Sequence, residues 1–476
     1  MAASAKGVDK NLTAGGFFYR ALLVAGLASI LMVFILRLWS MLSTHGLIPT
    51  SGVEGSGSYG VFRACSGLPF YQNFNDAANV AVFNFLFYEF YGMLTRLFGA
   101  CDDVTPLLSR LLSLAFVVAL AVTVFLAKDK KLSPLEAALV AAGAFSFYIG
   151  WWAFAIRPDV GAALFLALCI VTMLSYLRNP RQLSALAAGF FLVCAWGFKQ
   201  PYAVAGPVLL WFIFRTNPRH AAAFCLVVAA GIVFPFLVYG MQPYYLHTMA
   251  VVGDEPLFAY VASINVYMFL VKGSPTLLLL GLTMLKLRKT GADVEWNFLW
   301  TLLIISSVVM GVAAAKAGAV ENYYFPSFVT AMFIVVKYVQ TGDPQIRRIG
   351  MGGSAVLSLL LACLILSGFR GNAILDAPAQ RRIEEIAAVL NQMPAPKLVW
   401  EDTAALPWFT KDVETRILWD AEVIARIMGG FDPHKSVADG HYKTIAIPNY
   451  SKPSFDLSGY QFVKGFDSLL IYSRRQ

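Results

Sequence analysis

The chain has little charge. Of its 476 residues, 14% are Asp, Glu, Lys or Arg and 58% are hydrophobic, and the mean hydropathy is +0.65. A soluble domain carries roughly 25% charged residues, so a soluble enzyme, a coiled coil, a disordered tail protein and a nucleic-acid binder all fit poorly. Histidine is scarce: five residues, scattered at 45, 220, 247, 434 and 441. No HExxH, CxxC pair or His cluster at metal spacing is present, so no metal site is written in the sequence. No cofactor is called for, and a divalent cation stays open. The GxxxxGKS phosphate loop is missing, which argues against ATP-driven pumping. So is the GxSxG nucleophile elbow.

Apolar runs are what the chain has in excess. Stretches of about 20 residues recur along most of it, each long enough to cross a bilayer. The net charge of +9 sits in short connections between these runs, which is how the positive-inside rule writes topology rather than how a nucleic-acid surface is built. The clusters are Lys128, Lys130 and Lys131; Arg178 and Arg181; Arg215 and Arg219; Lys286, Arg288 and Lys289; and Lys337, Arg347 and Arg348. Placing them and the N-terminus in the cytoplasm gives an all-α polytopic membrane protein of about eleven spans. These fall near 17–41, 105–127, 133–154, 158–177, 182–198, 201–215, 219–240, 273–287, 295–317, 321–340 and 349–369. The first run is long for a signal sequence and is expected to be retained.

Two domains follow: a membrane domain over 1–370 with a large first outer loop at 43–105, and a small α/β extracytoplasmic domain over 371–476. Within the loop, Ala77 to Gly99 is expected to lie along the outer surface as an interfacial helix. In the tail, Lys397–Trp400, Thr444–Ile447 and Ser468–Tyr472 read as strands.

On this topology the outer ends of the spans hold an unusual set of ionisable groups, and such groups are functional-site hypotheses. Glu54 and Asp76 lie in the first loop, and Arg157 and Asp159 in Ile156-Arg157-Pro158-Asp159. Lys199 lies in Lys199-Gln200-Pro201. His247, Asp254, Glu255 and Lys272 lie at 241–272, and Lys316 and Glu321 flank another turn. Several are basic, against the positive-inside bias, which points to an outward-facing cavity for an anion. Blander readings stand beside this one. Arg157 and Asp159 pair across a tight turn, Lys199 and Lys316 snorkel to headgroups, Glu54 is an ordinary loop residue, and His247 is satisfied or exposed.

The order of motifs resembles the GT-C class of integral-membrane glycosyltransferases, in particular bacterial relatives of protein O-mannosyltransferases and of lipid A aminoarabinose transferases. The likeness rests on a first span followed by Glu54-Gly55-Ser56-Gly57-Ser58-Tyr59, then Ser66-Gly67-Leu68-Pro69-Phe70-Tyr71-Gln72-Asn73-Phe74-Asn75-Asp76 and Leu97-Phe98-Gly99. Arg110-Leu111-Leu112-Ser113, Arg157-Pro158-Asp159, Lys199-Gln200-Pro201 and Asn322-Tyr323-Tyr324 continue it. The first loop has a single Glu where many relatives have an acidic pair.

The resemblance implies a sugar donor carried on polyprenyl phosphate and an acceptor in the cell envelope: a glycan, a glycolipid such as lipid A, or a protein. It implies a multi-pass protein of the bacterial inner membrane, with its N-terminus cytoplasmic and its C-terminal domain periplasmic or extracellular. Arg157, Lys199, Lys272 and Lys316 would bind the donor phosphate. Glu54, or second Asp76, would be the catalytic base. Tyr59, Asp159, Gln200, Asn322 and Tyr323 would contact substrate. The expected reaction is one displacement with inversion. A lipid-linked sugar flippase or transporter, an O-antigen-ligase-like transferase and a non-enzymatic assembly subunit are the rival readings.

Of the six cysteines, Cys169, Cys194, Cys225 and Cys363 lie in apolar spans and read as packing residues. Cys65 and Cys101 both fall in the first outer loop, facing an oxidising compartment, so a disulfide between them is one expectation and two free thiols the other.

Overall fold

A computed structural model describes residues 10–44, 54–73, 81–99, 101, 105–287, 293–341, 344–368, 377–399, 415–428, 432–466 and 469–475. Six helices among them are long and apolar enough to cross a membrane. They lie within α1 (Lys10–Ser43), α4 (Thr105–Leu126), α6 (Asp159–Arg178), α9 (Pro218–Tyr239), α14 (Val294–Ala313) and α16 (Pro344–Gly368). A bent pair, α12 (Ala259–Lys272) and α13 (Ser274–Leu287), meets at 81° and makes a seventh if counted as one span.

Of the roughly eleven expected spans, six or seven are thus long enough to cross on their own. Four of the expected segments are helical but short or broken. The segment at 133–154 is α5 (Pro134–Ala141) followed by two 3₁₀ turns, and α7 (Gln182–Phe198) has 17 residues. α8 (Ala205–Thr216) and α15 (Phe325–Tyr338) each begin after a 3₁₀ turn, Gln200–Val204 and Glu321–Tyr324. The physical reason is shared. Non-helical backbone in a bilayer protein is tolerated where it is buried in protein or lines a wet cavity, and the turns at 200–204 and 321–324 both border the cavity described below.

The bundle has two chemically distinct ends. At the C-terminal end of α6, Glu295 accepts from both Arg178 and Lys337 (Lys337 Nζ at 2.7 Å). Nearby connections are tied by Arg347–Glu136 (3.3 Å) and by the Tyr19 hydroxyl donating to Glu136 (2.7 Å). The expected cytoplasmic clusters around 178, 337 and 347 thus meet carboxylates there. At the N-terminal end of α6, about 30 Å away at 1.5 Å per residue, stand Asp159, Arg157, Lys199 and Asn322. Large apolar side chains such as Leu226, Leu237 and Leu364 face outward along the helices, as a lipid-facing surface requires. Cys225 and Cys363, expected as packing residues, are exposed on that side, whereas Cys169 and Cys194 are buried.

The described part of the segment expected as the first outer loop holds two helices. Glu54 opens α2 (Glu54–Cys65), and α3 (Phe85–Leu97) packs against it. The small residues of Glu54-Gly55-Ser56-Gly57-Ser58-Tyr59-Gly60 permit that closeness: a Cβ on Gly60 would lie 2.3 Å from the Tyr88 ring, and one on Gly92 2.6 Å from Ala64 Cβ. Arg96 donates to the carbonyls of Cys65 (2.7 Å) and Ala64 (2.5 Å), and a disulfide joins Cys65 to Cys101 with Cα atoms 5.6 Å apart. At 13 residues α3 is too short to span.

The tail forms a five-stranded mixed sheet, ordered β2-β1-β3-β5-β4, from β1 (Lys397–Val399), β2 (Arg416–Ile417), β3 (Thr444–Pro448), β4 (Tyr460–Phe466) and β5 (Leu469–Arg474). β1 runs parallel to β2 and β3, and β5 antiparallel to β3 and β4. Ile445 and Ile447 of β3, with Leu398, Tyr442 and Tyr472, form its own small core.

Candidate functional site

A cavity of about 300 Å³ opens at the N-terminal end of α6. Five stretches build it: Val82–Phe83 ahead of α3, Arg157 ahead of α6, the Lys199-Gln200-Pro201 break, and the two connections carrying Val251–Glu255 and Lys316–Tyr323. The first break is set by sequence. α7 ends at Phe198, Lys199 is extended, and Pro201 has no amide proton to donate to the Gly197 carbonyl and so carry the α-helix on. Gly318, at φ +70°, turns the chain between Lys316 and Asn322, a backbone that L side chains adopt with strain.

The cations are held in place. Asp159 is buried at the first turn of α6 and accepts from Lys199 Nζ and from Asn322 Nδ2 (2.9 Å), with Arg157 Nε 3.5 Å from its other oxygen. Lys199 Nζ also stands 4.9 Å from the Tyr323 ring centroid, and the Arg157 guanidinium packs 5.1 Å from Trp152 and 5.6 Å from Phe83. Two cations around one carboxylate leave one positive charge in excess beside the cavity. Lys316 adds another from the far wall, where its Nζ donates to the Val252 carbonyl (2.5 Å). Burial lowers the Lys316 ammonium below its ordinary range, and the charge of Glu255 opposes that shift. Gln200 Nε2 ties this wall together by donating to the carbonyls of Val82 (2.9 Å) and Thr248 (3.3 Å).

Of the residues expected at the site, Arg157, Lys199, Gln200, Lys316, Asn322 and Tyr323 line the cavity, and Asp159 lies directly behind it. Lys272 lies elsewhere, at the end of α12, paired with Glu321. Tyr59 is buried in α2, with Arg63 over its ring at 5.8 Å, and does not line the cavity. Glu54 is also behind the wall. Its Oε1 accepts from the Ile156 amide (2.7 Å) and pairs with Arg110 Nη1 (2.7 Å), and the carboxylate is fully buried. Asp76 lies outside the described residues. His247 is buried and fastens both flanks of that stretch: the Ala81 amide donates to Nδ1 (3.0 Å), and Nε2 meets the Gln72 carbonyl (3.1 Å).

Glu255, the carboxylate among the cavity-lining residues, stood out in the sequence with Asp254 as a charge in an outer turn, but nothing there gave it a role of its own. Phe83 and Trp152, which stack on Arg157, carried no signal of their own. Among the described residues no group of three or more His, Cys, Asp or Glu side chains is placed to hold a metal.

No protein-family model matches the sequence, and no curated protein matches it. Solved structures do match. ArnT from Cupriavidus metallidurans, bound to undecaprenyl phosphate, superposes with a TM-score of 0.63 over 93% of this chain and 97% of that one. This chain has the GT-C fold. The same ArnT in the apo state gives a TM-score of 0.60 over 92% and 97%. Sequence identity is 12% and 11%, so the likeness is one of fold, and the chemistry must be argued from the site.

Proposed function

We propose that this GT-C protein is a glycosyltransferase that moves a sugar from a polyprenyl-phosphate donor to an envelope acceptor on the outer face of a bacterial inner membrane. One observation carries the reading: Arg157, Lys199 and Lys316 converge on a single cavity at one end of an apolar bundle, in a fold shared with a protein bound to undecaprenyl phosphate. The basic connections at the opposite end favour a cytoplasmic placement there. The cavity and the tail domain then face outward, with some eleven membrane-embedded segments if the short and broken helices are counted with the long ones.

The chemistry follows from charge. As the bond from the anomeric carbon to the phosphate oxygen breaks, negative charge collects on the phosphate, and fixed cations stabilise it. The polyprenyl tail stays in the lipid. The acceptor oxygen attacks from the opposite face and forms the new bond with inversion, and a carboxylate of the first outer segment takes its proton. Glu54 is our first choice of base and Asp76 the second. Glu54 adjoins the turn that carries Arg157, and acting as base requires exchanging its bond to the Ile156 amide for one to the acceptor hydroxyl. Asp159, Asn322 and Gln200 hold the cations and the wall in register, and Tyr323 offers a ring face to the sugar.

The test is binding of undecaprenyl phosphate to purified protein in detergent. Lys199→Ala and Lys316→Ala should each weaken it about 10- to 150-fold, the equivalent of roughly 1.5–3 kcal/mol for a lost contact to a charged group. Unchanged affinity in both would mean that neither lysine meets the phosphate.

A further inference from the structure

The connection between α9 and α12 does more than cover the cavity. Its inner side supplies Val251, Val252 and Glu255 to the wall. Its end pairs with the opposite turn: the Phe258 amide donates to the Ala315 carbonyl (2.7 Å) and the Ala317 amide to the Pro256 carbonyl (2.8 Å), around an antiparallel bridge between Leu257 and Lys316. This strap and the Lys316 turn therefore form one unit. The tail domain meets Asp254 and, at the cavity itself, Glu255. Arg426, in the helix Leu418–Met428, reaches across with Nε 2.5 Å from Asp254 Oδ2 and Nη2 2.9 Å from Glu255 Oε1.

The charges at the rim make this contact consequential. Arg157, Lys199, Lys316 and Arg426 stand against Asp159, Asp254 and Glu255, so the surroundings carry one positive charge in excess. Without Arg426 that excess is gone. Glu255, already in the same cavity as Lys316 and acting on its ammonium, then becomes a rival anion for the lysine. Exposed ion pairs add little to stability, and the Arg426 and Asp254 side chains are about half exposed. The contact therefore matters more for the field at the cavity than for holding the fold together. Charges at a rim act chiefly on the capture of charged ligands and on its salt dependence.

We propose that Arg426 is a positioning residue of the transfer site: by engaging Asp254 and Glu255, the tail domain keeps Lys316 available to the phosphate of the lipid donor. The proposal rests on the transferase reading above, and it gives the tail domain a part in donor binding.

The test uses the full chain in detergent and undecaprenyl phosphate as the probe, at low salt and at about 0.5 M salt, where the Debye length falls to a few ångströms. Arg426→Ala should weaken binding about 3- to 10-fold at low salt, and the loss should shrink at high salt. Adding Glu255→Gln to that variant should restore most of the affinity. Glu255→Gln alone, which leaves Arg426 in place, should bind the probe at least as tightly as the unaltered protein. Three results would overturn the inference: Arg426→Ala binding like the unaltered protein at low salt, a loss that Glu255→Gln does not repair, or a loss independent of salt. If the unaltered protein does not bind the probe at all, the donor reading itself fails, an outcome told apart because it appears before any substitution is made.

Discussion

At the scale of single residues, Glu54 decides most. A buried carboxylate that accepts an amide proton and pairs with a buried arginine is both a clamp and our first choice of base, and the two roles separate experimentally. Glu54→Gln removes the carboxylate that faces the Arg110 charge and should cost about 3 kcal/mol of stability. Combining it with Arg110→Met removes that buried charge as well and should recover most of the melting temperature. Transfer should stay reduced by about 10²–10⁴-fold in the double variant, the usual cost of losing a general base. Recovery of turnover along with stability would make Glu54 a clamp only and move the base to Asp76.

His247 makes a prediction in pH. Burial drives its imidazole down to about 4 from an ordinary value of 6.5, so the folded chain keeps it neutral where the unfolded chain would protonate. That stabilisation is complete above pH 6.5. It declines as pH falls towards 4, by about 1.4 kcal/mol per unit at most. Thermal unfolding followed from pH 7 to 4.5 should show this slope, and His247→Gln should flatten it. The sequence held His247 as one scattered histidine, because its partners are backbone groups of residues 72 and 81 that no spacing rule connects to position 247.

At the scale of elements, α2 and α3 stand as a stapled helical pair. Gly92→Ala would set a methyl against Ala64 and the Cys65 amide, and overpacking of this kind costs typically 1–3 kcal/mol. Melting should fall by that amount, and thiol reagents should reach the 65–101 bridge more readily. In the denatured, unreduced protein neither Cys65 nor Cys101 should label without reductant; labelling of both would remove the staple. The bridge closes a separation of 36 residues, worth about 3–4 kcal/mol in the chain-entropy account. Composition made both cysteines visible and left their pairing open. It did not show that Glu54–Cys65 is helical, since a Gly- and Ser-rich run has low intrinsic helix propensity and forms here because α3 packs against it.

The long apolar helices were legible for the same reason that membrane topology in general is: every backbone polar group must be satisfied internally, so apolar length maps onto helix. α7 was legible as short, with a break at Lys199-Gln200-Pro201, whereas α15 was legible as apolar and not as incomplete. Their lengths are set by the polar turns at Lys199–Val204 and Glu321–Tyr324, and those turns are where the cavity lies. The cavity's cations could be picked out because charge at a membrane edge is costly. That Lys272 turns to Glu321 rather than to the cavity depends on the bend between α12 and α13, which the sequence marks only with Gly273 and Pro275.

At the scale of the whole molecule, a cavity lined by cations at one end of an apolar bundle also suits a transporter. The two accounts part on what the protein does without a membrane gradient. Purified protein in detergent, given a polyprenyl-phosphate sugar and an extract of envelope acceptors, should release polyprenyl phosphate and yield acceptor carrying the sugar with inverted anomeric configuration. Lys199→Ala should slow this reaction. Absence of any transfer in detergent, together with movement of the intact lipid-linked sugar across the bilayer of proteoliposomes, would contradict the account.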